Sequence, residues 1–272
     1  MKIFIMTDME GVCGVINHDD WVMPDGRYYE EGKRLLTMEI NAAVEGFFTA
    51  GATEIFVADG HGAGGINQSL LDKRTMFIRG FPKPYPFNLD ETFDAVAWVG
   101  QHAKAGTPFA HIAHTGWFNV LDYKINGISV GEFGQMAMCA ASLGVRSIFG
   151  SGDEAFTKEA SGLINGIETV AVKKGLNPGS GDKCDGEAYR NRNLAAIHYH
   201  PQRACELIRE GAERALNRFI ANKESFQLLD LEPPFIRKVK YRLYKGTPAY
   251  TAYAKHESDF IEMMNSKEHT VI

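Results

Sequence analysis

The opening of the chain restricts the fold more than any later segment does. A β-rich run at residues 2–7 is followed by a helical pattern at 29–50 and a second β-rich run at 53–58. In the helical stretch Leu35, Leu36, Met38, Ile40, Ala43, Val44, Phe47 and Phe48 recur at intervals of three and four, and Gly51 is a natural stop. Two strands joined by a helix of that length pair in parallel, since a crossover needs a dozen or more residues and a hairpin only a few. Parallel sheets bury both faces under helices, so this opening commits the chain to a layered α/β arrangement.

The remainder continues that theme. Strands are expected at 76–79, 95–100, 147–150 and 168–173, and a Gly- and Ala-rich helix at 132–143. Residues 117–130 read as a hairpin, because Asn126-Gly127 sits between apolar stretches. Residues 174–187 are rich in Gly, Pro and Asp and mark a boundary. Beyond them come a helix at 201–221, with Pro201 suited to its first turn, a basic strand at 235–244 and a partly helical tail at 249–272. The expected fold class is α/β. It comprises a three-layer αβα domain with a mostly parallel sheet over residues 1–185 and a smaller C-terminal α+β domain over 186–272.

A formal net charge of -5 argues against a nucleic-acid binder that relies on bulk positive charge. No apolar run approaches the ~18 residues of a membrane span. The N-terminal MKIFIMTDMEG has a short apolar run that ends in acids, so it reads as a first strand rather than a signal peptide. Cys13, Cys139, Cys184 and Cys205 are spaced neither as a disulfide framework nor as a CxxC pair. They are expected to be reduced thiols in a cytoplasmic protein, which leaves nitrogen and oxygen to hold any metal.

Three strand ends carry such donors. The first ends in Asp8-Met9-Glu10, the second in Asp59-Gly60-His61, and the strand at 95–100 runs into Gln101-His102. Glu132 opens the helix after the hairpin. A lone acid at a strand end is more often a helix cap or a surface charge. In an open parallel sheet, however, ligands bind beyond the carboxyl ends of the strands, and these three ends converge there. Carboxylates gathered at one place repel unless a cation or proton lies between them. Mixed imidazole and carboxylate ligands suit zinc, iron, manganese or nickel better than magnesium or calcium. Asp8, Glu10, His61, His102 and Glu132 exceed the three protein ligands of a single catalytic zinc, so the surplus points to two metals sharing a carboxylate.

A rival reading starts at the same place. GHGAGG, residues 60–65, matches the dinucleotide fingerprint G-x-G-x-x-G and follows a strand. That motif needs a helix opening at the glycines and an acid at the next strand end, and INQSLLDKR and Gly80-Phe81 supply neither. His111 and His114 are each compatible with a structural role or with a general acid or oxyanion donor. His198 and His200 have strand-like spacing but read as structural or surface residues, and His18, His256 and His269 as solvated. Asp153 reads as an N-cap with Glu154 in the first turn.

Taken together, several segments resemble the zinc-dependent D-aminopeptidases of the dipeptide-transport (Dpp) type. They are TDMEG at 7–11, ADGHG at 58–62, GQHAKAGTP at 100–108, the histidine before Thr115, INGISVGEFG at 125–134, GDEAFTKEA and TVAVKK. The resemblance covers roughly residues 1–173 and weakens beyond 185. It implies two Zn2+ ions per subunit, with Asp8 bridging and Glu10, His61, His102 and Glu132 as the other ligands. It implies His114 as the catalytic histidine, although a loop one residue longer than the family's leaves His111 open. It also implies a short peptide substrate with an N-terminal D-residue, such as D-alanyl peptides, and a homo-oligomer, a decamer, whose sites face an inner channel. Two alternatives stand beside it. One is a dimetal amidase or phosphoesterase with the same ligands, for which Lys104 is the nearest phosphate-binding candidate. The other is a non-enzymatic nucleotide-binding module built on GHGAGG.

Overall fold

A computed structural model describes residues 1–271 of the chain. The first half runs β1 (Lys2–Thr7), α1 (His18–Trp21), α2 (Tyr29–Thr49), β2 (Glu54–Asp59), β3 (Met76–Ile78), β4 (Ala95–Gln101), β5 (Val120–Ile125), β6 (Ile128–Ser129) and α3 (Glu132–Ser142). It continues through β7 (Arg146–Asp153), α4 (Glu154–Leu163), β8 (Glu168–Gly175), α5 (Gly186–Arg190), β9 (Ala196–His198) and α6 (Pro201–Ala221). The last stretch holds β10 (Phe235–Tyr241), β11 (Tyr250–His256), α7 (Phe260–Asn265) and β12 (His269–Val271).

Seven strands form one sheet in the order β3-β2-β1-β4-β7-β8-β9. All neighbours are parallel except β8 and β9. Period-two alternation assigns the faces. Ile3 and Ile5 of β1 join a core with Leu36, Ile40 and Phe47 of α2 and Ile208 and Leu216 of α6. Phe4 and Met6 join another with Phe133 and Met136 of α3 and Phe156 of α4. Helices therefore cover both faces, the three-layer αβα arrangement expected from the opening crossover.

The second sheet, β12-β11-β10-β5-β6, is antiparallel. Its hairpin is the one expected at Asn126-Gly127, where both residues have positive φ, 47° and 85°, as a tight two-residue turn requires. Its outer strand, β12, lies in the tail expected to be partly helical. In that tail β11 pairs with β10 over seven residue pairs, and α7 supplies the helical part. The alternating Tyr250, Ala252 and Ala254 account for the strand that precedes the helix, since Ala252 and Ala254 are buried on one face. The two sheets do not divide at residue 185. β9 and α6, from beyond it, join the seven-stranded layer, while β5 and β6, from before it, belong to the second sheet.

The segment after β1 lies tightly on the end of β4. Asp8 N–H donates to the Val99 carbonyl at 2.9 Å and Gly11 N–H to the Gly100 carbonyl at 2.8 Å. Gly100 has φ of +77°, and a Cβ there would sit 2.0 Å from the Asp8 carbonyl oxygen. Both the left-handed backbone and the backbone contact exclude a side chain. Gly100→Ala is expected to lower unfolding free energy by on the order of 3 kcal/mol. Chemical denaturation would measure it, and a loss below ~1 kcal/mol would show that this contact can relax.

Candidate metal centre

β1 lies between β2 and β4; the chain runs from β1 to β2 and β3 on one side and then crosses to β4 on the other, which makes the carboxyl ends of β1 and β4 the topological switch point. Asp8 and Glu10 follow β1, His61 lies two residues past β2, and His102 follows β4 directly. Glu132 enters from the first turn of α3. Asp8, Glu10, His61 and Glu132 line a cleft of about 320 Å³, whose wall also includes His18, Val22, Met23, His114 and Trp117, while His102 lies buried behind it.

The donors fall into two groups, Asp8–Glu10–His61 and His102–His114–Glu132. In each group one donor atom from every residue lies within 4.8 Å of the others. Asp8 spans the groups: its Oδ1 is 3.3 Å from His61 Nδ1 and its Oδ2 is 3.2 Å from His102 Nε2. His61 Nδ1 is also 3.3 Å from Glu10 Oε2, and His102 Nε2 is 3.4 Å from Glu132 Oε1. His114 Nε2 lies 3.7 Å from Glu132 Oε1 and 3.9 Å from Glu10 Oε1. Glu132 Oε1 also accepts from Gly116 N–H at 2.7 Å.

Backbone carbonyls set the three imidazoles. His61 Nε2 is 3.2 Å from the Val22 carbonyl, His102 Nδ1 2.9 Å from that of Ala103, and His114 Nδ1 2.9 Å from that of Ile112. A carbonyl only accepts, so in each case the carbonyl-side nitrogen carries the proton. The opposite nitrogen, aimed at the acids, presents a lone pair in the neutral ring, which is how proteins orient imidazole ligands to metals. Asp8 Oδ2, Glu10 Oε2 and His102 Nε2 are buried without an aligned hydrogen-bond partner, despite their short separations. Unaligned, desolvated donors at these distances fit a bound cation better than they fit one another.

The electrostatics agree. Burial alone would raise the Asp8 carboxyl, but the close imidazoles of His102 and His61 and their charge hold it well below the usual range. Glu132 is likewise lowered against burial, chiefly by His102. Burial would lower His61 and His102, yet Glu10 and Asp8 raise the first, and Asp8 and Glu132 raise the second. Without metal, the acids and imidazoles thus share protons where a divalent cation would sit. His114 moves the other way, lowered by burial and then by the neighbouring His102, whose ring stacks on it at 4.1 Å.

His111 is outside the cluster. Its Nε2–H donates to the Ile16 carbonyl at 2.9 Å, and burial followed by the Lys173 charge lowers it to about 2. Asp153 caps α4 by accepting from Phe156 N–H at 2.6 Å and also accepts from His111 N–H. Asp59 shapes a turn, its carboxylate accepting from Gly65 and Ile66 N–H. That leaves GHGAGG poorly suited to a phosphate: its amides meet an acid, and β2 is followed by β3 with no helix between. His198 accepts from Gly14 N–H, and His200 caps α6. Lys104 Nζ donates to the Ser129 carbonyl and does not line the cleft.

His18 departs from expectation. Instead of being solvated it is 4% exposed, packed edge-on against Trp117 and Phe118 in the cleft wall. Its flanking Asn17, Asp19 and Asp20 gave it a polar sequence context, but Asn17 caps α1 and Asp19 pairs with Arg190, leaving the ring to turn inward. No spacing signal would have identified it.

Comparison with known proteins follows the same direction. The family model for D-aminopeptidases, peptidase family M55, matches residues 1–257. A D-aminopeptidase of Bacillus subtilis (strain 168) is 34% identical over 199 residues, covering 71% of each chain. The solved structure of the Zn-dependent D-aminopeptidase DppA from Bacillus subtilis, described as a self-compartmentalizing protease, superposes with a TM-score of 0.81. It is 26% identical and the match covers 97% of this chain and 94% of that one. With a seven-stranded switch-point sheet, a largely buried carboxylate–imidazole cluster and a family match over nearly its whole length, the chain belongs to the D-aminopeptidase family of peptidases.

Proposed function

We propose that the protein is a dinuclear zinc aminopeptidase that removes N-terminal D-residues, of the D-alanyl type, from short peptides. The observation that carries this reading is the pairing of two three-residue donor groups through the two oxygens of Asp8. Asp8, Glu10 and His61 would hold one ion, and Asp8, His102 and Glu132 the other. Bound there, zinc supplies Lewis acidity and a water that ionises near neutral pH.

The chain's own groups provide the rest. The Val22, Ala103 and Ile112 carbonyls fix the ligand and catalytic imidazoles, which removes rotational freedom before substrate arrives. His114, kept neutral, would take a proton from the attacking water at Nε2 and, once protonated there, donate to the oxyanion or deliver that proton to the leaving amine. His18 and Trp117 wall the cleft and limit water around the scissile bond.

His114→Ala is expected to lower kcat by ~10²–10⁴-fold while metal content is retained. His111→Ala should mainly lower stability, since it removes the bond to Ile16. Steady-state kinetics with metal analysis separates them, and the reverse pattern would transfer the catalytic role to His111. A homo-oligomer, a decamer, and a cytoplasmic location belong to the same reading. They are supported by the self-compartmentalizing relative and by cysteines carried as free thiols. Light scattering should then give ten times the 30.2 kDa subunit mass.

The central test measures zinc per chain and hydrolysis of matched D-Ala and L-Ala N-terminal peptides, with and without chelator. Near two zincs with chelator-sensitive cleavage of the D-peptide is the expected result. Two metals with no peptide cleavage would remove the substrate assignment, and one metal would remove the dinuclear one.

A further inference from the structure

The segment that carries Asp8 and Glu10 has no regular structure between β1 and α1, yet its main chain is bonded by side chains from four distant places. Glu39 of α2, 2% exposed, accepts from Cys13 N–H at 2.8 Å. His198 of β9 accepts from Gly14 N–H at 3.0 Å. His111 donates to the Ile16 carbonyl. Lys173 of β8, also 2% exposed, places its Nζ 2.6 Å from the Glu10 carbonyl oxygen and 3.4 Å from that of Val15.

Of these, Lys173 acts directly on a ligand-bearing residue. Glu10 sends its carboxylate toward His61 and its carbonyl to the ammonium, so the residue is held at both ends. A charged donor makes a hydrogen bond roughly twice as strong as a neutral one, and here it gathers two carbonyls from a turn that regular structure does not fix. A buried ammonium is expensive to desolvate and survives only where its three donors and its charge find partners. We infer that Lys173 is a positioning residue for the metal centre: its ammonium sets the backbone of Glu10, and through it the pocket that receives the cation. This rests on the metal-centre reading above. The bland alternative is that Lys173 only balances the charge of its buried neighbours Glu39 and Asp153, in which case its loss would affect stability alone.

Lys173→Met keeps an unbranched stem, one atom shorter, and removes the charge and the donors. Val172→Ala, a fully buried neighbour in β8 with no bond to the segment, is the control for general loosening. Zinc affinity is measured on the full-length protein by competition with a chromophoric chelator, alongside thermal unfolding of the chelator-treated protein. The expected result is a loss of zinc affinity of about 10- to 100-fold in Lys173→Met, with Val172→Ala within about twofold of wild type. Equal affinity in Lys173→Met and wild type, or an equal loss in both variants, would overturn the inference. If Lys173→Met does not fold, Lys173→Gln, which keeps a donor on a shorter stem, is read against the same criteria. Absence of zinc binding by the wild-type protein would instead overturn the metal-centre reading, and this inference with it.

Discussion

Asp8→Asn should strip both metals from the protein and lower peptide hydrolysis by about a thousandfold or more, since even outer partners of metal ligands cost 10- to 100-fold. The substitution is nearly isosteric and keeps the Oδ1 acceptor that receives Met9 N–H at 2.9 Å. What it removes is the anion whose two oxygens reach His61 on one side and His102 on the other. An amide cannot neutralise two dications, and its NH2 would be directed at one of them. Glu132→Gln offers the comparison. Glu132 reaches only the His102–His114 group, so it should weaken one ion and spare the other. Metal content after desalting, together with kcat/KM, distinguishes the two. An Asp8→Asn protein that retains two metals at wild-type affinity would show that Asp8 does not bridge.

Zinc binding should become steeply tighter as pH rises and should release protons even above pH 7. His61 and His102 are held above their usual 6.5 by Glu10, Asp8 and Glu132, against the effect of burial. Their protons occupy the nitrogens a metal needs, so each must leave on binding. Affinity is then expected to rise by up to about a hundredfold per pH unit while both rings are protonated, each proton being ~1.4 kcal/mol per unit. The metal-free protein shows the opposite sign. The two raised imidazoles stabilise it fully below 6.5, and that contribution is lost as pH climbs through their elevated values. Asp8, depressed from 3.8, contributes above that value and loses its contribution as pH falls through the lower one. The cluster's own contribution to folding without metal therefore peaks between 3.8 and 6.5, and protection by zinc grows above that window. Calorimetric titration in buffers of different ionisation enthalpy counts the protons, and a count of zero at pH 7 would contradict the shared-proton arrangement.

Much of this geometry could be read before any coordinates. The helix at 29–50 and its flanking strands announced a parallel crossover, and a crossover places strand ends on one edge, where Asp8, Glu10, His61 and His102 do gather. Asn126-Gly127 announced its hairpin because turn chemistry is local. What could not be read depends on contacts remote in sequence. β5 pairs with β10, more than a hundred residues later, and nothing in either strand specifies that partner. His18 turned out buried because a cap and an ion pair consumed its polar neighbours. Lys173 lies in TVAVKK, where an alternating strand would ordinarily send a lysine to solvent. The Glu10 and Val15 carbonyls turned toward it, with the Asp153 and Glu39 carboxylates nearby, account for its burial.

The remote ties on residues 8–17 bear on how this enzyme could be divided. His198 bonds Gly14, the Tyr199 carbonyl accepts from Cys13 Sγ–H at 2.8 Å, and α6 packs along α2. A truncated protein ending near residue 185 would contain every proposed ligand and His114, yet would expose the face of α2 and free the amide of Gly14. Such a fragment should bind zinc poorly and tend to aggregate, and mixing it with the missing C-terminal peptide should restore binding. For anyone seeking a minimal version of this catalyst, the smallest working unit is expected to be close to the whole chain.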